Sequence, residues 1–185
     1  MARQRSLRFP KGFLWGTASS SHQCEGGNTN NQWYLWEQQG HILTGEQCGE
    51  ACNWWEDAEH DFMLAEQMEN NALRLSIEWS RIEPAEGQWD SGAIDRYRVM
   101  LLNLRKRLLK PIVTIHHFTD PIWFAERATQ HFIPTSISAT KLLLMSRIAR
   151  LARLQLNKPF SISRPQTQIR TRSEPSQKAG CRKER

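Results

Sequence analysis

Seven residues of this chain have the types and spacing from which chemistry is built. His22, Gln23 and Glu25 fall together early in the sequence, Arg74 stands inside an apolar run, and His116, His117 and Asp120 follow another. A glutamine amide donates and accepts at once, and a histidine does the same through its two ring nitrogens, so Gln23 and His117 suit neighbouring sugar hydroxyls. Neither is a nucleophile in this setting. Both types serve equally as interior hydrogen-bonding groups. Trp33, Trp36 and Trp54 can stack on sugar faces, although tryptophan at helical spacing more often belongs to a core. Spacing alone names no substrate.

The elements that must position these groups alternate along the chain. Residues 12–19 (GFLWGTAS) read as a short buried strand, near 13–17, passing into a small-residue turn. Residues 26–31 and 40–49 carry turn formers around a brief helical segment at 33–38. From 54 to 68, Trp55, Ala58, Phe62 and Ala65 recur at intervals of three and four, with Glu56, Glu59 and Glu66 at other positions, which predicts an amphipathic helix. Next, Leu73, Leu75, Ile77 and Trp79 alternate with Arg74, Ser76 and Glu78, which predicts a strand over 72–77. Ile94, Tyr97, Leu101, Leu104 and Leu108 form a second helical stripe that stops before Pro111, and a third strand is expected over 111–116. A βαβαβ order implies parallel strands with helices outside, and chemistry at the strand ends.

The length of 185 residues suits one compact unit, and 39% apolar with 24% charged content is ordinary for a globular protein. No apolar run approaches the roughly 18 to 20 residues that cross a bilayer. Arg3, Arg5, Arg8 and Lys11 are followed by no apolar stretch of about 7 to 15 residues, so no secretory signal is expected and the location expected is cytoplasmic. Cys24, Cys48, Cys52 and Cys181 have neither the density of a disulfide scaffold nor paired zinc spacing. Reduced thiols are expected, with no metal and no cofactor.

The net charge of +6 is segregated. Residues 1–127 hold 13 Lys and Arg against 17 Asp and Glu, whereas residues 128–185 hold 12 against 2. All eight Trp and both Tyr precede residue 128, so the one organisational boundary falls after Arg127. Within the later section, Leu144, Ile148 and Leu151 oppose Arg147, Arg150 and Arg153 across residues 138–156, a basic amphipathic pattern suited to an acidic membrane or nucleic acid. Residues 161–185 read as disordered on composition. Such an abrupt change is better explained by a shifted reading frame or a rearranged gene end, and no nucleic-acid or membrane partner is expected.

The run from Phe9 to Ala18 (FPKGFLWGTA), continuing to His22-Gln23-Cys24-Glu25-Gly26, resembles the opening of family 1 glycoside hydrolases, the β-glucosidase and β-galactosidase family. The run from Arg74 to Pro84 (RLSIEWSRIEP) looks like that family's second-strand motif, and Val113 to Phe118 (VTIHHF) like its third. The resemblance spans about Leu7 to Arg127 and is greatest to bacterial members. It implies part of a (β/α)8 TIM barrel, an α/β fold, acting on a β-linked glucoside or galactoside with retention. By the same resemblance Gln23 and His117 hold the terminal sugar, and Arg74 orients the nucleophilic carboxylate and keeps it ionised, as a nearby guanidinium lowers a carboxylate's pKa. Phe118 stands where many members have Trp, and Asp120 occupies a less constant position.

The family's acid/base lies in an Asn-Glu-Pro motif after the fourth strand and its nucleophile in a Glu-Asn-Gly motif after the seventh. Neither motif occurs in these 185 residues, and Glu174-Pro175 matches the first only superficially. Retaining hydrolysis needs two carboxyl groups about 5 to 5.5 Å apart. Glu25, Glu78 and Glu83 are not promoted to that role, because their family counterparts are structural or peripheral. The expectation is a section of a β-glycosidase, inactive alone and prone to self-association through an unfinished barrel. The alternative is a non-catalytic remnant whose basic segment binds an anionic surface.

Overall fold

A computed structural model describes residues 8–130, so the helical and low-complexity segments expected farther on lie outside the described residues. The chain runs β1 (Gly16–Ala18), α1 (Ser21–Cys24), α2 (Gln32–Gln38), α3 (Trp54–Gln67), β2 (Ala72–Ser76), α4 (Trp79–Ile82), α5 (Ser91–Lys106), β3 (Lys110–Thr114) and α6 (Ile122–Gln130). The strands pair in the order β1-β2-β3 and are parallel throughout, with Ala18 level with Arg74, Arg74 with Ile112, and Ser76 with Thr114. Helices α3 and α5 carry the chain from each strand to the next and pack on the sheet face that presents Leu73 and Leu75. Three parallel strands with their crossover helices match the first three units of a (β/α) barrel.

The buried side of α3 is Trp54, Ala58, Phe62 and Ala65, one turn apart in sequence, and Trp55 lies half-buried at the flank of that stripe. Both crossover helices end in the same way. Glu69 and Leu108 take a left-handed conformation with φ of 59°, and the next N–H, of Asn70 or Leu109, reaches back to the carbonyl of Ala65 (3.2 Å) or Leu104 (3.0 Å). This closing turn satisfies helix carbonyls that would otherwise lack donors. It also corrects the second helical stripe, since the turn sends Leu108 out to 87% exposure and buries Leu109 in its place.

All three strands differ from expectation, β3 by running over Lys110–Thr114 instead of 111–116. The first is shorter and later than 13–17, and it is exposed rather than buried. Only its β2 side is paired among the described residues, so the apolar run before it packs on itself. The rings of Phe9, Phe13 and Trp15 lie 4.5 to 5.0 Å apart, and Trp15 remains 49% exposed. Gly16 is required where β1 meets β2, because an added Cβ would stand 2.2 Å from the Ala72 carbonyl oxygen. The second difference is at the end of β2. Trp79 opens α4 instead of continuing the strand, with the Glu78 side chain accepting from the Ser80 N–H as its cap. None of the described helices is long and apolar enough to cross a membrane.

Candidate functional site at the strand ends

Glu78 is 0% exposed and receives three hydroxyls brought from distant parts of the chain. Its Oε2 accepts from Ser21 Oγ and from Thr119 Oγ1, both at 2.8 Å, and its Oε1 accepts from Ser80 Oγ at 2.8 Å. Ser76, the last residue of β2, donates through its own Oγ to Ser21 Oγ (3.0 Å) and accepts from the Ser21 N–H (2.6 Å). A buried carboxylate is tolerated when its lone pairs are met in this way. The result ties the loops after all three strands to one point.

Beneath it lies a second buried carboxylate. Glu25 Oε1 accepts from the Tyr97 hydroxyl at 2.6 Å, Oε2 pairs with Arg81 Nε at 2.8 Å, and the Tyr97 oxygen accepts from the Glu78 N–H at 3.0 Å. The Arg81 guanidinium is fixed further by the Gly26 carbonyl and by the Trp55 ring, 3.9 Å below it. Burial pushes the Glu25 carboxyl up to about 7, against the opposing pull of Tyr97 and Arg81, and burial likewise holds the Tyr97 hydroxyl well above its ordinary range. Glu83 is also engaged internally, accepting from Trp79 Nε1 and the Gly87 N–H.

The loops that carry Gln23 and His117 are clasped together. Gln32 Nε2 donates to the Phe118 carbonyl at 2.7 Å, its Oε1 accepts from the Asp120 N–H, and its own N–H reaches the Asp120 carbonyl at 3.1 Å. Ser21 and Thr119, each two residues from the pair in question, share one oxygen of Glu78. Gln23 and His117 therefore occupy the same end of the sheet, although they share no hydrogen bond. Gln23 is exposed on α1 and accepts from Ser20 Oγ, while His117 is half-buried with its ring against Phe118 (centroids 5.0 Å). Phe118 itself is 71% exposed at a φ of 67°, a strained conformation for an aromatic residue.

Arg74 lies in the middle of β2, level with Ala18 and Ile112, on the face opposite the helices. One of its terminal nitrogens reaches only the Ser19 carbonyl, at 3.4 Å, and its buried Nε has no hydrogen-bond partner among the described residues. His116 is spoken for by Asp120, Nε2 to Oδ1 at 2.9 Å. Trp54 belongs to the core, and Trp33 and Trp36 are exposed on α2, with Trp36 against His41.

His22, Glu37 and Cys48 bring ligand-type atoms within 4.8 Å of one another beside a cavity of about 130 Å³. The hydrogen bonds around His22 oppose metal binding there. Asn31 caps α2 by accepting from the Tyr34 N–H through Oδ1, which fixes its amide and aims Nδ2 at His22 Nδ1 (3.1 Å). Both ring nitrogens of His22 are thus engaged, Nδ1 with Asn31 and Nε2 with Glu37 (3.1 Å).

The sequence reading missed Ser21, Thr119 and Gln32 among the residues that build the site, and set Glu78 aside as structural or peripheral. An Asn-Gln pair opening a helical segment was the available signal for the clasp at Asn31 and Gln32. No local pattern marks Ser21 or Thr119.

A comparison with protein families matches residues 5–129 to the model of glycosyl hydrolase family 1. β-Glucosidase 47 of Arabidopsis thaliana is 34% identical over 126 residues, 64% of this chain and 24% of that protein. β-Glucosidase A of Thermotoga maritima is 31% identical over 121 residues, 62% of this chain and 27% of its own length. Among solved structures, a β-glycosidase from Pyrococcus horikoshii superposes with a TM-score of 0.62 at 44% identity, over 66% of this chain and 28% of that one. The family 1 β-glucosidase from Thermotoga maritima gives 0.63 at 29% identity, over 65% and 29%. The chain thus spans about a quarter of the length of the curated relatives it matches.

Proposed function

The chain belongs to glycosyl hydrolase family 1, and from that premise we propose that residues 1–127 are the N-terminal part of a β-glycosidase barrel that binds and orients a β-linked glucoside or galactoside. Residues 128–185 form a separate basic segment with no part in the sugar chemistry, and the protein acts in the cytoplasm. The relatives' own names, β-glucosidases and a β-glycosidase, support the substrate class.

The observation that carries this reading is Arg74. A guanidinium on the open face of the sheet, with its Nε buried and unpaired among the described residues, is suited to a carboxylate arriving from another strand. Paired there, the cation would keep that carboxylate ionised and aimed, which is what a glycosidase nucleophile requires. Gln23 and His117 hold hydroxyls of the terminal sugar from the two clasped loops. The acid/base and the nucleophile are not among these residues, since Glu25, Glu78 and Glu83 are consumed by internal hydrogen bonds. These 185 residues alone therefore position a sugar and do not cleave its bond. Two strand edges unpaired among the described residues and the exposed rings of Phe9, Phe13 and Trp15 favour self-association of the isolated chain.

The test is complementation. The chain alone releases no aryl alcohol from an aryl β-glucoside above background. Produced together with the remaining strands of the Thermotoga maritima β-glucosidase, it supports hydrolysis that Arg74→Ala lowers by about 10²-fold or more. Turnover by the chain alone that disappears in Glu25→Gln would overturn the assignment, because a substitute carboxylate would then be doing the chemistry.

A further inference from the structure

Three of the four cysteines lie within the described residues, all as free thiols, and they gather where α1 meets the loop that precedes α3. Cys24 closes α1, and its carbonyl accepts the Cys52 N–H at 3.2 Å. That backbone bond sets the two residues side by side, and a disulfide spans Cα atoms about 4.4 to 6.8 Å apart. Cys48 is committed elsewhere, its Sγ donating to the His22 carbonyl at 2.8 Å. Cys52 is exposed, whereas Cys24 is half-buried. One thiol of the adjacent pair is thus open to a small oxidant and the other is sheltered behind it.

We propose that Cys24 and Cys52 form an oxidation-sensitive dithiol that closes to a disulfide with a hydroperoxide, a modification that fastens the loop bearing Gln23 to the start of α3. The exposed Cys52 reacts first, its thiolate sulfur attacking one peroxide oxygen. The O–O bond breaks, hydroxide leaves and takes up a proton as water, and Cys52 becomes a sulfenic acid. The Cys24 thiolate then attacks the Cys52 sulfur, the S–O bond breaks, and the departing hydroxide takes the thiol's proton as a second water. Two thiols and one hydrogen peroxide give one disulfide and two waters. Gln23 immediately precedes Cys24, so the new bond pins the backbone of a residue that the proposed sugar site uses.

The test uses the full chain with hydrogen peroxide under native conditions, followed by intact mass measurement and non-reducing peptide mapping. The expected result is a loss of about 2 Da, a single cross-link joining Cys24 to Cys52, its retention in Cys48→Ser and its loss in Cys52→Ser. The wild-type chain oxidised in guanidinium serves as the reference for folding. There the closest thiols in sequence, Cys48 and Cys52, should dominate instead, so a switch between the two pairings reports the folded geometry. Several pairings in equal yield under native conditions, a bond to Cys48 or Cys181, or addition of about 16 or 32 Da to one cysteine without a cross-link each overturns the proposal.

Discussion

The Tyr97 hydroxyl donates to Glu25 Oε1 at 2.6 Å and so joins helix α5 to the loop after β1. The same oxygen accepts the Glu78 N–H, so this buried hydroxyl both donates and accepts. Tyr97→Phe removes both bonds at once and strands a backbone donor. It should cost about 1 to 3 kcal/mol, read as a lower urea midpoint at unchanged slope.

Glu25 makes stability depend on pH. The folded carboxyl keeps its proton to about pH 7, whereas the unfolded one releases it near the ordinary 4.5, so the folded state binds more protons between those values. Its contribution is present in full below pH 4.5 and lost as pH rises through about 7. A fall on the order of 3 kcal/mol across that window should appear in urea titrations, and Glu25→Gln should flatten it. Tyr97→Phe should move the fall to higher pH, because the Tyr97 hydrogen bond holds the carboxyl down. A flat profile in the wild-type chain would sink this account.

Glu78 is an acceptor toward every one of its side-chain neighbours. Glu78→Gln turns an NH₂ group toward hydroxyls that are already donating, and should destabilise by about 2 kcal/mol or more. The loops after β1 and β3 should loosen together, visible as joint loss of amide protection around residues 21 and 119 in hydrogen exchange.

Gly16→Ala places a methyl group 2.2 Å from the Ala72 carbonyl oxygen, a contact no side-chain motion relieves. The expected outcome is parting of β1 from β2. The N–H groups of Asn71 and Ala72, which donate to the Trp15 carbonyl at 2.9 and 3.0 Å, should lose protection while those of α5 keep theirs.

Glucose should bind the isolated chain very weakly, since two positioned side chains leave the other faces of the sugar in water. NMR titration is expected to show no saturable shift up to tens of millimolar, the weak end of the affinity scale. A micromolar dissociation constant that is lost in Gln23→Ala would instead reveal a finished binding site.

What could be read from the chain depended on whether the determining neighbours were close in sequence. Ala58, Phe62 and Ala65 mark α3 because a helix repeats its own pattern, and Leu73 and Leu75 mark β2 for the same reason. Helix α1 escaped notice because four residues make one turn and show no period. Leu108 fitted the stripe of α5 but not its geometry, since the left-handed closing turn shifts burial by one residue. Glu78 read as one of the polar positions that alternate with apolar ones near β2. Its true partners, Ser21 and Thr119, come from 57 and 41 residues away, and only the parallel crossovers deliver them. Gln23, Arg74 and His117 stood out by type and position, family resemblance supplied their roles, and their burial and pairing became visible only with the loops in place.

The clasp at Gln32 also bears on the order of events during synthesis. Every bond in it, from the Asn30 carbonyl that receives the Ile122 N–H to the Asp120 backbone, is made by residues no later than 122. On a ribosome adding about 5 to 20 residues per second, the whole arrangement can close seconds after residue 122 clears the exit tunnel, before any downstream strand of a barrel exists. The binding loops would then be set early, and strands supplied by another chain would meet a template already shaped.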